Sequence, residues 1–171
     1  ANDLGDGLKG TDDNRQGEKR AIASGKISIA QMKKAVVLFV IMSFMSGTLL
    51  SVIATLHVSG WVTVTFVVLG VFAILAALYY TMGKRAYGYS GWGDVFVLVF
   101  FGWVGVIGSS YLQINSLEPM LFLPATAVGF LAMGVLNLNN MRDIESDHAA
   151  GKNTLVVKVG LSKAKIYHIF L

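Results

Sequence analysis

Apolar residues fall in four long runs. Ala35 to His57 is 23 residues without Asp, Glu, Lys or Arg; Val58 to Met82 adds 25, Val95 to Leu117 adds 23, and Pro119 to Met141 adds 23. About 20 apolar residues in a helix cross a ~30 Å hydrocarbon core, so each run predicts a membrane-spanning helix. The breaks at His57-Val58-Ser59-Gly60 and Ser116-Leu117-Glu118-Pro119 are short, which predicts two helical hairpins. A further apolar run opens near Leu171. The expected fold is an all-α transmembrane bundle, with four complete spans and the start of a fifth.

Four spans divide the polar sequence into three loops on one side, residues 1–34, 83–94 and 142–165, and two tight turns on the other. All 14 Lys and Arg lie on the three-loop side, and of the 10 acids only Glu118 lies opposite. Positive charge in short loops marks the cytoplasmic face. Aromatics at the span ends (Trp61, Tyr79, Tyr80, Trp92 and Tyr111) suit interfacial anchors. Inside the spans, Ser43-Gly47-Ser51 and Gly102-Gly105-Gly108 form small-residue faces of the kind that let helices approach closely.

Composition narrows the function. Of 171 residues, 54% are hydrophobic and 14% charged, and the mean hydropathy is +0.62. A soluble domain carries about 25% charged residues, so a soluble enzyme, a nucleic-acid binder and a disordered tail are excluded. With no Cys, disulfide frameworks, thiolate catalysis and Cys-based metal sites are excluded too. The chain begins inside a dense polar motif and ends inside an apolar run, which reads as part of a longer protein.

The chemistry lies in the loops. One cluster is Asn2-Asp3-Leu4-Gly5-Asp6-Gly7-Leu8-Lys9-Gly10-Thr11-Asp12. Another is Asn139-Asn140-Met141-Arg142-Asp143-Ile144-Glu145-Ser146-Asp147, followed by Gly151-Lys152-Asn153-Thr154. Residues four apart on a helix share a face, so Asn2 with Asp6, and Asp143 with Asp147, predict two oxygen claws. Crowded carboxylates repel unless a cation sits among them. Mg²⁺ commonly uses one or two carboxylates plus substrate phosphates. The cations beside each cluster, Lys9, Arg15 and Arg20 near the first and Arg142 and Lys152 near the second, suit a metal–diphosphate better than a bare Ca²⁺ cage. Taken singly, any of these charges could be a solvated loop charge; two mixed clusters on one face favour a site.

A third polar stretch, Tyr80-Thr81-Met82-Gly83-Lys84-Arg85-Ala86-Tyr87-Gly88-Tyr89 with Asp94 beyond it, reads either as membrane-interface residues or as another phosphate donor bordered by tyrosines. His57, His148 and His168 show no metal-ligand spacing. Gly151-Lys152-Asn153-Thr154 lacks the earlier glycine and the strand of a P-loop. A transporter places its ionisable residues near the bilayer midplane, whereas here the spans are uncharged and the acids crowd one mouth.

Asn2-x-x-x-Asp6 with Lys9-Gly10 and Asp12, Tyr80-x-x-x-Lys84, and Asp143-x-x-x-Asp147 resemble the signature elements of the UbiA-type intramembrane prenyltransferases, in the same order. The longer words around them are similar to those of the bacterial menaquinone-pathway branch, whose acceptor is 1,4-dihydroxy-2-naphthoate. The 4-hydroxybenzoate branch carries an acid at the position of Gly10, where this chain places its acid at Asp12 instead, which weighs against that branch. A UbiA-type enzyme with that or another acceptor is the alternative, and a small membrane transporter or lipid-binding scaffold a more distant one. The resemblance implies a bundle of about nine helices of which residues 1–171 are one part, truncated at both ends. It implies a multi-pass protein of the bacterial cytoplasmic membrane, with its site open to the cytoplasm. The implied activity is Mg²⁺-dependent transfer of a polyprenyl group from its diphosphate to the naphthoate, with loss of CO₂, giving demethylmenaquinone. It implies catalytic roles for Asp6, Lys84, Asp143 and Asp147. The implied metal ligands are Asn2, Asp6, Asp12, Asp143 and Asp147. Lys9, Arg20, Tyr80, Asp94, Arg142 and Lys152 are the implied substrate contacts, and Asp3 and Glu145 are supporting residues.

The charge distribution makes the first testable statement. The loops at Asp12, Arg85 and Asp147 should share the cytoplasmic face. Single cysteines placed in this Cys-free chain, probed with a membrane-impermeant thiol reagent, should be labelled at Glu118 from the periplasm and protected there at Asp147. The reverse pattern would invert the orientation.

Overall fold

The computed structural model describes residues 1–11, 20–84 and 86–171. The chain opens with a short helix, α1 (Asn2–Lys9), which stops at Gly10 in the left-handed conformation, φ 70° and ψ 13°, with its N–H returned to the Asp6 carbonyl. Asp12 and Arg15 lie outside the described residues. A turn from Arg20 to Gly25 then leads to the first long helix.

Four helices are long and apolar enough to cross a membrane: α2 (Ile29–Thr55), α3 (Gly60–Tyr79), α4 (Gly93–Ile114) and α5 (Pro119–Arg142). Each covers one predicted apolar run. α2 begins six residues upstream of the charge-free stretch because Ser28 and Gln31 form a reciprocal capping box there, which satisfies N–H groups left free at a helix start. Gln31, Lys33 and Lys34 thus occupy its first two turns. α3 ends at Tyr79, and Tyr80 to Met82, expected inside the span, enter the following turn instead.

Both hairpins form. Thr55 and Thr63, both buried, join their hydroxyls at 2.8 Å across the α2–α3 turn. In the second hairpin, α4 and α5 are cross-linked by the Trp103 indole N–H on the Thr126 hydroxyl at 3.0 Å. Asn115 closes α4 in the left-handed conformation at φ 53°, a geometry Asn tolerates better than most residues. Pro119 opens α5, where a missing N–H costs nothing.

The two small-residue faces behave differently. At Gly102 an added Cβ would lie 2.7 Å from the Ala125 carbonyl oxygen and 3.0 Å from the Gly129 Cα, so glycine lets the two backbones touch. This contact falls in a stretch, Leu98–Ile107, wound as a π-helix within α4, a wider i→i+5 turn that the apolar pattern does not reveal. Gly47 meets nothing within 4 Å, so no close approach is made at that position, although Ser51 in the same row is buried. That row lines a cleft of about 350 Å³ with Phe66, Gly70 and Gly108.

Beyond α5 come three short helices, α6 (Ile144–Ala149), α7 (Leu155–Val159) and α8 (Leu161–Phe170). α6 carries Asp147 to the end of the bundle where α1 holds Asp6, and α8 runs back beside α5, where the Asn137 amide donates to the Ala164 carbonyl at 3.1 Å. Little of the spans is buried within the chain: 6% of the most apolar window of α2 and 22% of that of α5. Such surfaces suit lipid or other membrane helices, not water. Trp61 and Trp92, 82% and 58% exposed, remain at span ends as anchors.

Gly102→Ala should destabilise the chain by ~1–3 kcal/mol, the usual cost of overpacking a filled contact. Gly47→Ala should be neutral or stabilising by up to ~1 kcal/mol, since Ala is the better helix former and its methyl meets open space. Thermal unfolding of the two variants in detergent micelles should show opposite or clearly unequal shifts.

Candidate functional site at the loop end of the bundle

α1 presents the first acid. Asp6 is 1% exposed, on the same buried face as Leu4 and Gly5. Gly5 is needed there because a Cβ would collide with the Thr81 hydroxyl oxygen; that approach seats α1 on the chain just after α3. Both Asp6 oxygens are occupied. Oδ2 accepts from Arg20 Nη1 at 2.6 Å, and Oδ1 accepts from the Tyr89 hydroxyl at 2.8 Å. Arg20 is delivered by Asp3, whose carboxylate accepts the backbone N–H groups of Ala21 and Ile22 at 3.2 and 3.4 Å.

The second acid comes from the other end of the chain. Asp143 sits at the break between α5 and α6, and Asp147 lies on α6 at 3% exposure. The Lys152 N–H donates to the Asp147 carbonyl at 2.8 Å, folding the Gly151 turn back over α6. The Lys152 side chain, itself buried, thereby places its Nζ 3.4 Å from Asp147 Oδ1 and 3.9 Å from Asp6 Oδ2. One ammonium thus bridges the two sequence clusters.

The third stretch contributes a residue not singled out for a role in the sequence. Tyr89 lies in a short 3₁₀ turn, Tyr87–Tyr89. Its single proton goes to Asp6, so Thr11 must donate to the phenolic oxygen, at 2.6 Å. The ring carries Lys9 Nζ at 3.8 Å and Lys152 Nζ at 5.5 Å from its centroid, within cation–π range. Its carbonyl accepts the Asn153 N–H at 3.1 Å. Tyr89 therefore ties all three loops together. The only hint in the sequence was the density of tyrosine between Tyr80 and Tyr89.

Burial governs the electrostatics. It pushes the Asp147 carboxyl above its ordinary range, against the opposing pull of Lys152. It pushes the Lys9 ammonium down, with Asp6 acting the other way. The Tyr80 hydroxyl is driven up by burial first and then by the negative charge of Tyr87, Asp6, Asp94 and Asp147. Its phenol lies against Gly93, at the head of α4. Behind it, Asp94 is buried and accepts from the Tyr167 hydroxyl of α8 at 3.1 Å.

Several expected residues lie elsewhere. Asn2 is exposed, with Oδ1 3.5 Å from the Thr81 hydroxyl, so it forms no claw with the buried Asp6. Asp143 is held side-on by Arg142, at 2.7 Å for each of two bonds; this pair flanks Asp147 and does not join the Lys152 bridge. Lys84 is exposed and makes no ion pair or hydrogen bond among the described residues. No group of three His, Asp or Glu gathers among the described residues, so Asp6, Asp143 and Asp147 do not form one carboxylate cage. Asp6 and Asp147 are the carboxylates that meet across Lys152. Asp147 Oδ2 is buried with no hydrogen-bond partner among the described residues.

A polytopic helical bundle with acids and cations gathered at one mouth defines an integral membrane protein with a charged site at its loop end. The profile of the UbiA prenyltransferase family matches residues 1–171, and the chain belongs to that family. It is 49% identical to the 1,4-dihydroxy-2-naphthoate octaprenyltransferase of Escherichia coli over all of this chain and 55% of that protein. The Haemophilus influenzae protein of the same name is 48% identical with the same coverage. That of Mycobacterium tuberculosis is 34% identical over 98% of this chain and 55% of its own length. The chain thus spans about half the length of the curated relatives it matches. No solved structure matches.

Tyr89→Phe tests the joining role. It leaves the ring but strands a buried Asp6 oxygen, which costs ~1–3 kcal/mol. The melting temperature in micelles should fall accordingly, whereas Tyr79→Phe, at an exposed ring, should change nothing measurable.

Proposed function

We propose that this chain forms part of a polyprenyltransferase of the bacterial cytoplasmic membrane that joins a polyprenyl group to 1,4-dihydroxy-2-naphthoate. The observation that carries the reading is the Asp6–Lys152–Asp147 bridge, with Arg20 and Lys9 around it. It concentrates carboxylates and cations at the loop end of an uncharged bundle. A diphosphate asks for such a place: cations for its oxygens, and an apolar interior for its long tail. The family profile and the names of the relatives point to the same class of reaction.

The orphaned Asp147 oxygen and the facing Asp6 carboxylate fit a divalent cation, since Mg²⁺ commonly takes one or two carboxylates and completes its shell with water and phosphate. When bound, Mg²⁺ would neutralise charge growing on the departing diphosphate. Arg20, with its planar fork, and Lys152, as a point charge, would hold oxygens the metal leaves free. Arg142 and Asp143 flank the centre and would act on it at longer range. Tyr80, half-buried with its hydroxyl against Gly93 beside Asp94, is suited to border the acceptor. Asp94, fixed by Tyr167, is suited to orient that acceptor through its hydroxyls.

The reaction balances without an oxidant. The allylic C–O bond to diphosphate breaks and a ring C–C bond forms. The ring carbon's bond to carboxylate then breaks, its electron pair returning to the ring as CO₂ leaves. The product is the quinol form of demethylmenaquinone. The apolar spans around the site would keep water from the allylic cation.

In the full-length protein, Asp6→Asn and Asp147→Asn should each lower turnover by ~10²–10³, the scale seen when one stabilising group is removed from a charged transition state, with membrane levels unchanged. The assay is product formation from labelled polyprenyl diphosphate with 1,4-dihydroxy-2-naphthoate or 4-hydroxybenzoate, with and without Mg²⁺. Near-normal activity of both variants would overturn the site; product from 4-hydroxybenzoate alone would overturn the acceptor. Arg20→Gln should raise KM for the diphosphate, while Lys33→Gln, in the exposed second turn of α2, should not.

A further inference from the structure

Lys152 occupies the gap that a metal held by both Asp6 and Asp147 would have to enter. Its Nζ is 3.4 Å from Asp147 Oδ1 and 3.9 Å from Asp6 Oδ2, and Mg²⁺ needs oxygens at about 2.1 Å. An ammonium and a divalent cation cannot both lie between these two carboxylates. The lysine is also not free to drift. Its backbone N–H is fixed on Asp147, the Tyr89 ring faces its Nζ at 5.5 Å, and the residue is 8% exposed. Asp6 is further committed to Arg20 and Tyr89. Removing the ammonium with nothing in exchange would leave a buried cation unpaired, which is costly. A diphosphate supplies that exchange by giving Lys152 new oxygens as the metal takes the old ones.

We propose that the Lys152 ammonium and a divalent cation are rival occupants of the gap between Asp6 and Asp147, so that the site takes up metal together with diphosphate and not before it. The inference rests on the metal–diphosphate reading given above and adds an order of binding to it. Metal and diphosphate are then coupled ligands, each raising the affinity of the other by the same factor. Lys152 sets much of that factor.

The test is equilibrium dialysis of radiolabelled Mn²⁺ against the full chain in detergent micelles, with and without inorganic pyrophosphate. The unaltered protein should bind Mn²⁺ weakly alone and roughly 5–150-fold more tightly with pyrophosphate, the range of ordinary coupling between sites. Lys152→Met should bind Mn²⁺ alone about tenfold more tightly than the unaltered protein, with the pyrophosphate effect reduced to match. Lys9→Met removes one positive charge from the same centre but no bridge, and should move the affinity for Mn²⁺ alone less than about twofold. Equal effects of the two variants would reduce the matter to net charge and overturn the proposal. So would tight Mn²⁺ binding by the unaltered protein without pyrophosphate. If Lys152→Met is unstable, its melting temperature should recover when Mn²⁺ is added alone; failure to recover counts against the proposal. Pyrophosphate-dependent Mn²⁺ binding that is the same in Lys152→Met and the unaltered protein overturns the order of binding but leaves the site standing. No Mn²⁺ binding under any condition overturns both.

Discussion

Two carboxylates buried at the mouth of an apolar bundle set the terms for everything around them. An ionised acid removed from water carries a penalty of several kcal/mol unless it is paired and hydrogen-bonded. Asp6 and Asp147 are 1% and 3% exposed, and each is met by a cation. The loops are arranged to make this possible. Asp3 brings Arg20 into place, the Gly151 turn brings Lys152, and the Tyr87–Tyr89 turn brings a phenol to the oxygen the cations leave. Without that compensation, three polar segments converging on one spot would repel one another.

The spans serve the site by holding those loops at one end. Gly5 allows α1 to sit against Thr81, just beyond α3. The α4–α5 hairpin, closed by backbone contact at Gly102 and Gly129, fixes Asp94 at the start of α4 and brings Arg142 and Asp143 from the finish of α5 to the same end of the bundle. The rigid parts are therefore apolar and the chemical parts are loops on a scaffold, the usual division of labour.

Much of this was legible in the residue order, because the signals were long. A run of more than 20 uncharged residues has one interpretation in a membrane, and all four such runs became helices. The assignment of Asp6 and Asp147 to one site could be anticipated because both stand in clusters with cations on the same side. Finer geometry was not legible. Asn2 and Asp6 share helical spacing, but α1 is seated so that one is exposed and the other buried. Asp143 and Asp147 also keep their spacing, yet Arg142, adjacent to Asp143 in the chain, takes both of its oxygens first. Lys84 stands in a motif-like word but is exposed and makes no ion pair among the described residues, while Tyr89, in the same loop, joins the acids' partners. Tertiary contacts decide such choices, and single-residue spacing does not contain them. The π-helical stretch of α4 was invisible for the same reason: its apolar composition suits an ordinary helix equally well.

The length of α2 has a consequence for how the chain sits in lipid. At 1.5 Å per residue, its 27 residues extend about 40 Å, against ~30 Å of hydrocarbon. The excess must be absorbed by tilt or left outside the membrane. Its first two turns carry Gln31, Lys33 and Lys34 and an exposed capping box, groups at home among phospholipid headgroups. α2 thus stands as a post whose top turns rise out of the acyl layer. At that level Lys33 and Lys34 are suited to reach the phosphates of the bilayer and so to limit how deep the helix sinks.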